Sequence, residues 1–335
     1  MEIVLNTYGT SISRDNEAFI ISTHEGKRRI SIDGVSSIRI GRSAQITSDA
    51  ILLAIENEVD VVFSDRSGNT VGRVWSPRYG SISAIRKGQL CFSQSRDAVE
   101  WIKKIIEKKL DNQQAMLLLM KVDNTPYIAE IDKAINKIEY FSGKVKKLEG
   151  DYVNDIASAI RGVEGYAAKV YFDAMNLYLP EEYRFDNRTQ HPALDVTNAL
   201  LNYGYGMLYG KIESSLIRSG IDPYIGILHR DEYNRPVLVY DIIELYRIWV
   251  DYVVWSLLIH KSITDEFYSI NEDGSCWLEA LGRRVIIQSM NDYMEDVVTY
   301  KGIARSRRVQ IDLYTQELAQ IFRKYQQSCF HTLKV

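Results

Sequence analysis

Hydrophobic positions change their period once along this chain, near Arg96. Before that point, short apolar runs sit between turn residues: Ala18-Phe19-Ile20-Ile21-Ser22, a turn at Glu25-Gly26, then Arg29-Ile30-Ser31-Ile32 closing at Asp33-Gly34. Ser37-Ile38-Arg39-Ile40 alternates in period two, as a half-buried strand does. Thr47 precedes a run through Ile55 with helical spacing and has the oxygen of a helix cap, and Val59 to Ser64 reads as a further strand. After Arg96 the spacing becomes three and four, as in Ala98-Val99-Glu100-Trp101-Ile102-Lys103-Lys104-Ile105-Ile106-Glu107. A second helix is expected from about Tyr152 to Leu177, with Ile156, Ile160, Val163, Ala167 and Val170 as its apolar stripe. A third opens at Asp241 and continues through Val250. Pro77, Gly80, Gly88 and several serines mark the change of period as a linker. The expected class is therefore α+β: a β-rich domain over residues 1–80, a linker at 81–95, and a larger all-α domain over 96–335.

Composition adds limits. With 335 residues and 46% of them hydrophobic, the chain can bury one large core or two moderate ones. A formal net charge of -3 gives no global basic field, so a nucleic-acid partner has to be held by a local patch. Cys91, Cys276 and Cys329 have neither the number nor the spacing of a disulfide framework or a zinc site, which fits a reducing compartment. The start lacks the pattern of a secretory signal, and the longest apolar run, Val253 to Ile259, is too short to span a bilayer. A soluble cytoplasmic protein with no membrane association is expected.

The candidate chemistry centres on Glu164, His229 and Glu244. Two carboxylates and an imidazole form an oxygen and nitrogen donor set suited to Mg²⁺ or Mn²⁺. Each has an arginine within three residues, namely Arg161, Arg230 and Arg247, as an enzyme acting on a polyanionic backbone requires. Asp241 lies three positions before Glu244, so on a continuous helix the two share a face, one binding metal and the other orienting a ligand. Acidic residues in a first helical turn also simply complement the helix dipole, so this spacing alone does not choose between the two readings. Gly162 and Gly165 flank Glu164 at a cost of about 1 kcal/mol each relative to alanine. Either a substrate or another backbone approaches there, or the helix packs tightly against a neighbour.

Three blocks carry a resemblance. They are Arg161-Gly162-Val163-Glu164-Gly165-Tyr166-Ala167-Ala168-Lys169-Val170-Tyr171-Phe172, Asp195-Val196-Thr197-Asn198-Ala199-Leu200-Leu201-Asn202-Tyr203-Gly204-Tyr205-Gly206, and the run from Leu216 through His229 and on from Arg235 to Arg247. In order and spacing they resemble the CRISPR-associated spacer integrases, the Cas1 family. Ile46 to Ala50 and Val62 to Asn69, continued to Gly72-Arg73, are similar to that family's β-domain. The resemblance implies a homodimer with a β-rich dimerisation domain, a helical catalytic domain, and assembly with a small partner, Cas2. It also implies metal-dependent insertion of short foreign DNA into a CRISPR array, with double-stranded DNA as both spacer precursor and target repeat.

Matched residue by residue, Glu164, His229 and Glu244 fall on the family's metal-binding positions and Asp241 on an acidic neighbour that joins them in catalysis. One departure is Arg188-Thr189-Gln190-His191-Pro192, where the family carries more arginine and proline. For DNA, Arg161, Lys169, Arg230, Arg235 and Arg247 are expected to line the cleft and Arg283 and Arg284 to extend it. The acid-free run containing Lys301, Arg305, Arg307 and Arg308 is expected to neutralise further phosphates. Two other readings stay open, a non-catalytic DNA-binding subunit of an integration complex and a transposon integrase using the same catalytic domain.

Overall fold

The computed structural model describes residues 2–35, 37–65, 70–74, 82–121, 126–229, 235–300 and 302–330, with 300 and 326–330 described by backbone alone. They form two compact units, Met1–Gly80 and Ser81–Val335.

In the first unit, β1 (Glu2–Leu5), β2 (Ser11–Asp15), β3 (Ala18–Thr23), β4 (Gly26–Ser31), β5 (Ser37–Gly41) and β6 (Gln45–Ile46) precede α1 (Ser48–Glu56), followed by β7 (Asp60–Ser64) and β8 (Thr70–Arg73). They make two four-stranded sheets, ordered β1-β5-β7-β8 and β4-β3-β2-β6. Register is set by the apolar alternation: Ile38 and Ile40 on β5 stand beside Ile3 and Leu5 on β1, on the buried face. Phe19 on β3 and Leu53 on α1 complete the same core. Thr47 caps α1 by accepting a hydrogen bond from the Ala50 amide, as its position in the sequence suggests.

The second unit begins earlier than expected. Residues 82–93, read from sequence as part of the linker 81–95, are helix α2 (Ile82–Ser93). Its Gly88 is buried and Phe92 stands edge-on to Trp101, so small and polar residues that look like a linker instead make room for neighbouring helices. Ser95 is spent on capping α3 (Arg96–Met120) through the Ala98 amide. Next come α4 (Ile128–Lys146), α5 (Val153–Leu177) and α6 (Val196–Arg218). Asp155 accepts the backbone amides of Asp151 and Tyr152 to close the start of α5, and Asp195 caps α6. Helix α6 has buried residues around its whole circumference and is the central strut.

The helix expected to open at Asp241 and run to Val250 is two helices, α7 (Val237–Ile243) and α8 (Arg247–Ile259). Between them, tight i to i+3 hydrogen bonds from Leu245 to Ile242 and from Tyr246 to Ile243 turn the chain. The turn comes after Asp241 and Glu244, whose backbone is still helical, so their spacing of three is kept. The half expected to be all helix also holds two hairpins, β9 (Tyr268–Ile270) with β10 (Cys276–Leu278), and β11 (Val297–Tyr300) with β12 (Ile303–Ser306), either side of α9 (Ala280–Glu295). These strands are too short to show a period of two. Helix α10 (Arg307–Phe330) packs back on α2, where Phe322 lies 5.3 Å from Phe92. Among the described residues, no helix is long and apolar enough to cross a membrane.

Two glycines of α6 separate packing from propensity. A Cβ at Gly204 would stand 2.5 Å from Cγ1 of Val250, a fully buried and rotationally stiff side chain, whereas one at Gly206 meets nothing within 4 Å. Gly204→Ala is expected to destabilise the protein by about 1–3 kcal/mol through overpacking. Gly206→Ala is expected to be neutral or to stabilise by up to about 1 kcal/mol. Urea unfolding of the two variants side by side checks the pair, and equal effects would contradict the α6–α8 packing.

Candidate active site

His229 sits at the end of an irregular loop that three helices hold in shape. From α2, the fully buried Gln89 amide donates to the carbonyls of Asp222 and Ile225 and accepts the Asp222 amide. From α5, Arg161 donates to the Leu228 carbonyl at 3.2 Å. From α7, the fully buried Asp241 accepts the backbone amides of Ile227, Leu228 and His229 at 2.7, 3.1 and 3.1 Å, and its other contact is His229 Nδ1 at 2.7 Å. The loop folds tightly enough at Gly226 that a Cβ there would lie 2.2 Å from the His229 carbonyl oxygen, so glycine is required by close approach. Donation from Nδ1 to Asp241 leaves the Nε2 lone pair as the functional face of the imidazole. Burial acts to lower the His229 pKa, but the Asp241 hydrogen bond and charge, with Glu164 and Glu244 beyond, raise it overall.

Glu164 from the middle of α5 and Glu244 from the α7–α8 turn converge on a third group, the ammonium of Lys109 on α3. Its Nζ is 2.5 Å from Oε1 of Glu164 and 2.5 Å from Oε2 of Glu244. The Lys109 and Glu244 side chains are only 9% and 3% exposed, so this is an interior cluster, while Glu164 is 22% exposed and faces its mouth. Arg247 binds the other oxygen of Glu244 at 2.7 Å, donates to the Tyr209 hydroxyl at 3.0 Å and lies 4.9 Å from the centre of the Tyr205 ring. Burial opposes ionisation of Glu244, yet Arg247 and Lys109 hold its carboxyl well below the usual range. Burial likewise lowers the Lys109 pKa, and Glu244 and Glu164 more than reverse that. Both charged forms are the resident ones.

Lys109 was missed by sequence reasoning, although there was a signal. It falls on the buried stripe of α3 with Ile102, Ile105, Ile106 and Gln113, where an unpaired lysine would be costly. The same cluster opens into a cavity of about 200 Å³ lined by Asn112, Arg188, Tyr205 and Asp251, of which Asn112 and Asp251 had no signal in the sequence. Asp251 is fully buried and its pKa is pushed up to about 6 by burial, against hydrogen bonds donated by Tyr205 and Tyr171.

The structure distributes the expected basic residues unevenly. Arg161 and Arg247 are committed to the loop carbonyl and to Glu244. Lys169 is exposed on α5 and pairs with Asp173 at 3.3 Å, Arg235 is exposed just before α7, and Arg284 is exposed on α9. Arg283 instead donates to the Leu278 carbonyl. The acid-free run near Arg308 is folded by the β11–β12 hairpin onto acids that precede it: Arg307 pairs with Asp296 and covers the Tyr293 ring, and Arg308 pairs with Glu295. Arg305 stays exposed on β12, its guanidinium meeting the carbonyl of Ala304. Arg230 and Lys301 lie outside the described residues. Gly162 and Gly165 have nothing within 4 Å of where a Cβ would stand, so no packed neighbour accounts for them and they leave bare backbone beside Glu164.

Among the described residues, no three His, Cys, Asp or Glu side chains stand as a ready metal cage. The residues nevertheless fit a divalent cation. The Glu164 and Glu244 carboxylates, one from α5 and one from the α7–α8 turn, already converge on one positive charge. Hard oxygen donors with one imidazole suit Mg²⁺ or Mn²⁺.

Comparison with known proteins agrees with this architecture. The model of the family described as CRISPR associated protein Cas1 matches residues 3–292. A protein named CRISPR-associated endonuclease Cas1 1, from Archaeoglobus fulgidus, is 32% identical over 315 residues, covering 90% of each chain. A casposase solved bound to its integration product is 25% identical with a TM-score of 0.80, covering 96% of this chain and 90% of that one. A chain of a Cas6-RT-Cas1–Cas2 complex shares the fold at 22% identity and a TM-score of 0.79, and this chain spans 35% of that longer one. The fold, the family match and the similarity over nearly the full length of a curated relative lead to one conclusion: this chain belongs to the Cas1 family and is a CRISPR-associated endonuclease and integrase.

Proposed function

We propose that the protein joins the 3′-hydroxyl of short double-stranded DNA to a backbone phosphate of a CRISPR repeat, using Mg²⁺ or Mn²⁺ held by Glu164, His229 and Glu244. The observation that carries this is the convergence of the Glu164 and Glu244 carboxylates on a single cation in a buried cluster. A bound divalent ion supplies Lewis acidity toward the scissile phosphate and the attacking hydroxyl. The chain's own residues prepare the site. Asp241 fixes the tautomer and orientation of His229, Arg247 keeps Glu244 ionised and in place, and Arg161 ties the loop to the helix that carries Glu164. The bare backbone at Gly162 and Gly165 lets a phosphodiester come close to Glu164.

For holding DNA, the exposed Lys169, Arg235, Arg284 and Arg305 are the residues best placed to meet phosphates. Arg230 and Lys301 belong to the same proposal on sequence grounds. Arg307 and Arg308 carry less of it, because acidic partners already neutralise them. Assembly as a homodimer and with a small Cas2 partner follows from the family, and a chain of similar fold is part of a complex that contains Cas2. The likeness to a casposase favours a second reading, a mobile-element integrase with the same chemistry. Sequencing the insertion site in a plasmid bearing leader and repeat separates the two, since a mobile-element enzyme would not choose the leader-repeat junction.

Strand transfer of a labelled duplex into that plasmid tests the site. Glu164→Ala, His229→Ala and Glu244→Ala are each expected to lose at least about 100-fold in metal-dependent product while retaining native circular dichroism, the scale of losing metal stabilisation of the transition state. Asp241→Asn is expected to lose about 10–100-fold, as removal of a ligand-orienting carboxylate does. Full strand transfer by folded Glu164→Ala would refute the assignment.

DNA affinity measured against salt tests the phosphate contacts. Arg305→Ala and Arg284→Ala are each expected to weaken binding irrespective of sequence and to reduce the slope of log K against log salt by about 1. Arg308→Ala is expected to change the slope less, and a larger effect at Arg308 than at Arg305 would contradict the ion-pair reading of the hairpin.

A further inference from the structure

Lys109 is the group that the proposed chemistry leaves unexplained. Its ammonium is buried and lies at contact distance from one oxygen of Glu164 and one oxygen of Glu244, two of the three side chains assigned to the metal. Arg247 neutralises Glu244 from the opposite side through Oε1, so Glu164 has no other cation within ion-pair distance among the described residues. Two carboxylates, one lysine and one arginine make the cluster neutral as it stands. A divalent ion bound to the same two oxygens would sit beside the ammonium, and like charges so close in a buried site repel strongly. The ion and Nζ cannot share the position.

We propose that Lys109 is a built-in counter-ion that occupies the divalent cation's place in the metal-free protein and is displaced when the metal binds. The inference rests on the reading that Glu164 and Glu244 hold the metal. Space for the displaced side chain exists, because Lys109 lines the adjoining cavity together with Asn112, Gln113 and Asp251. The arrangement keeps two inward carboxylates paired at all times, which removes the usual penalty of an empty metal site, and it makes metal affinity a difference between two cations competing for one pair of oxygens. Loss of the ammonium then has opposite effects on the two states: the metal-free protein loses the pairing that Glu164 has among the described residues, and the metal-bound protein loses a competitor.

The test is Mn²⁺ affinity by titration calorimetry, together with thermal midpoints in EDTA and in excess Mn²⁺, for the full-length wild type, Lys109→Met, the more conservative Lys109→Gln, and Lys109→Arg. Lys109→Met and Lys109→Gln are expected to bind Mn²⁺ at least about tenfold more tightly than wild type, a competition effect of the size seen for groups beside metal ligands but opposite in sign. They are also expected to melt several degrees lower in EDTA, with Mn²⁺ restoring them, while wild type changes little. Lys109→Arg, which keeps the charge, is expected to restore the EDTA midpoint. Equal or weaker Mn²⁺ binding by folded Lys109→Met or Lys109→Gln, or a stability deficit that Mn²⁺ leaves unchanged, overturns the displacement. Absence of Mn²⁺ binding in wild type and all three variants overturns the metal assignment itself.

Discussion

Burying negative charge in a helical core is the constraint around which the second unit is organised. Glu244, Asp241 and Asp251 are all buried, and a carboxylate in such surroundings persists as an anion only where donors or cations surround it. Each has a different solution. Asp241 is satisfied by three backbone amides and an imidazole, Glu244 by a lysine and an arginine, and Asp251 by two tyrosine hydroxyls, a weaker set that lets its pKa rise. The loop before α7 and the buried Lys109 of α3 supply those partners.

The end of α7 shows how local geometry divides labour. Asp241 and Glu244 lie three positions apart on helical backbone. The turn at Leu245 and Tyr246 follows both, and the i to i+3 step alone sends Asp241 to the histidine loop and Glu244 to the cation cluster. One short segment thereby fixes two donors that reach the site from different directions. Arg247, the first residue of α8, completes the turn by holding Glu244 from behind.

Much of this was readable from the residues. The strand around Ile38, the capped helix at Thr47 and the long helix bearing Glu164 follow from period and capping, and the strand around Phe19 from its apolar run between turn residues. Glu164, His229 and Glu244 stand out by their local contexts together with family resemblance. Four things were not readable. Helix α2 was hidden because Gly88 and its serines mimic a linker, and only the tertiary partners Phe322 and Trp101 reveal why helix wins. At the α7–α8 break the Leu245 carbonyl accepts a hydrogen bond from Asn112 of α3, a partner that local propensity does not encode. Lys109 and Asp251 take their meaning from residues tens of positions away, and the charges of Arg307 and Arg308 are cancelled by acids that a hairpin brings round to them.

Gln89 adds a temporal side to this architecture. Its amide braces the histidine loop through Asp222 and Ile225, partners 133 and 136 positions further along the chain. Contacts of such separation form only once most of the intervening chain has been synthesised and collapsed, since closing so long a loop is entropically expensive until other contacts share the cost. A growing chain that has reached α5 already carries Lys109 and Glu164, yet it has no histidine loop, no Glu244 and no partner for Gln89. The histidine loop and the Glu164–Glu244 cluster are therefore completed only after the chain has been made through α7, and partly made chains lack the assembled site.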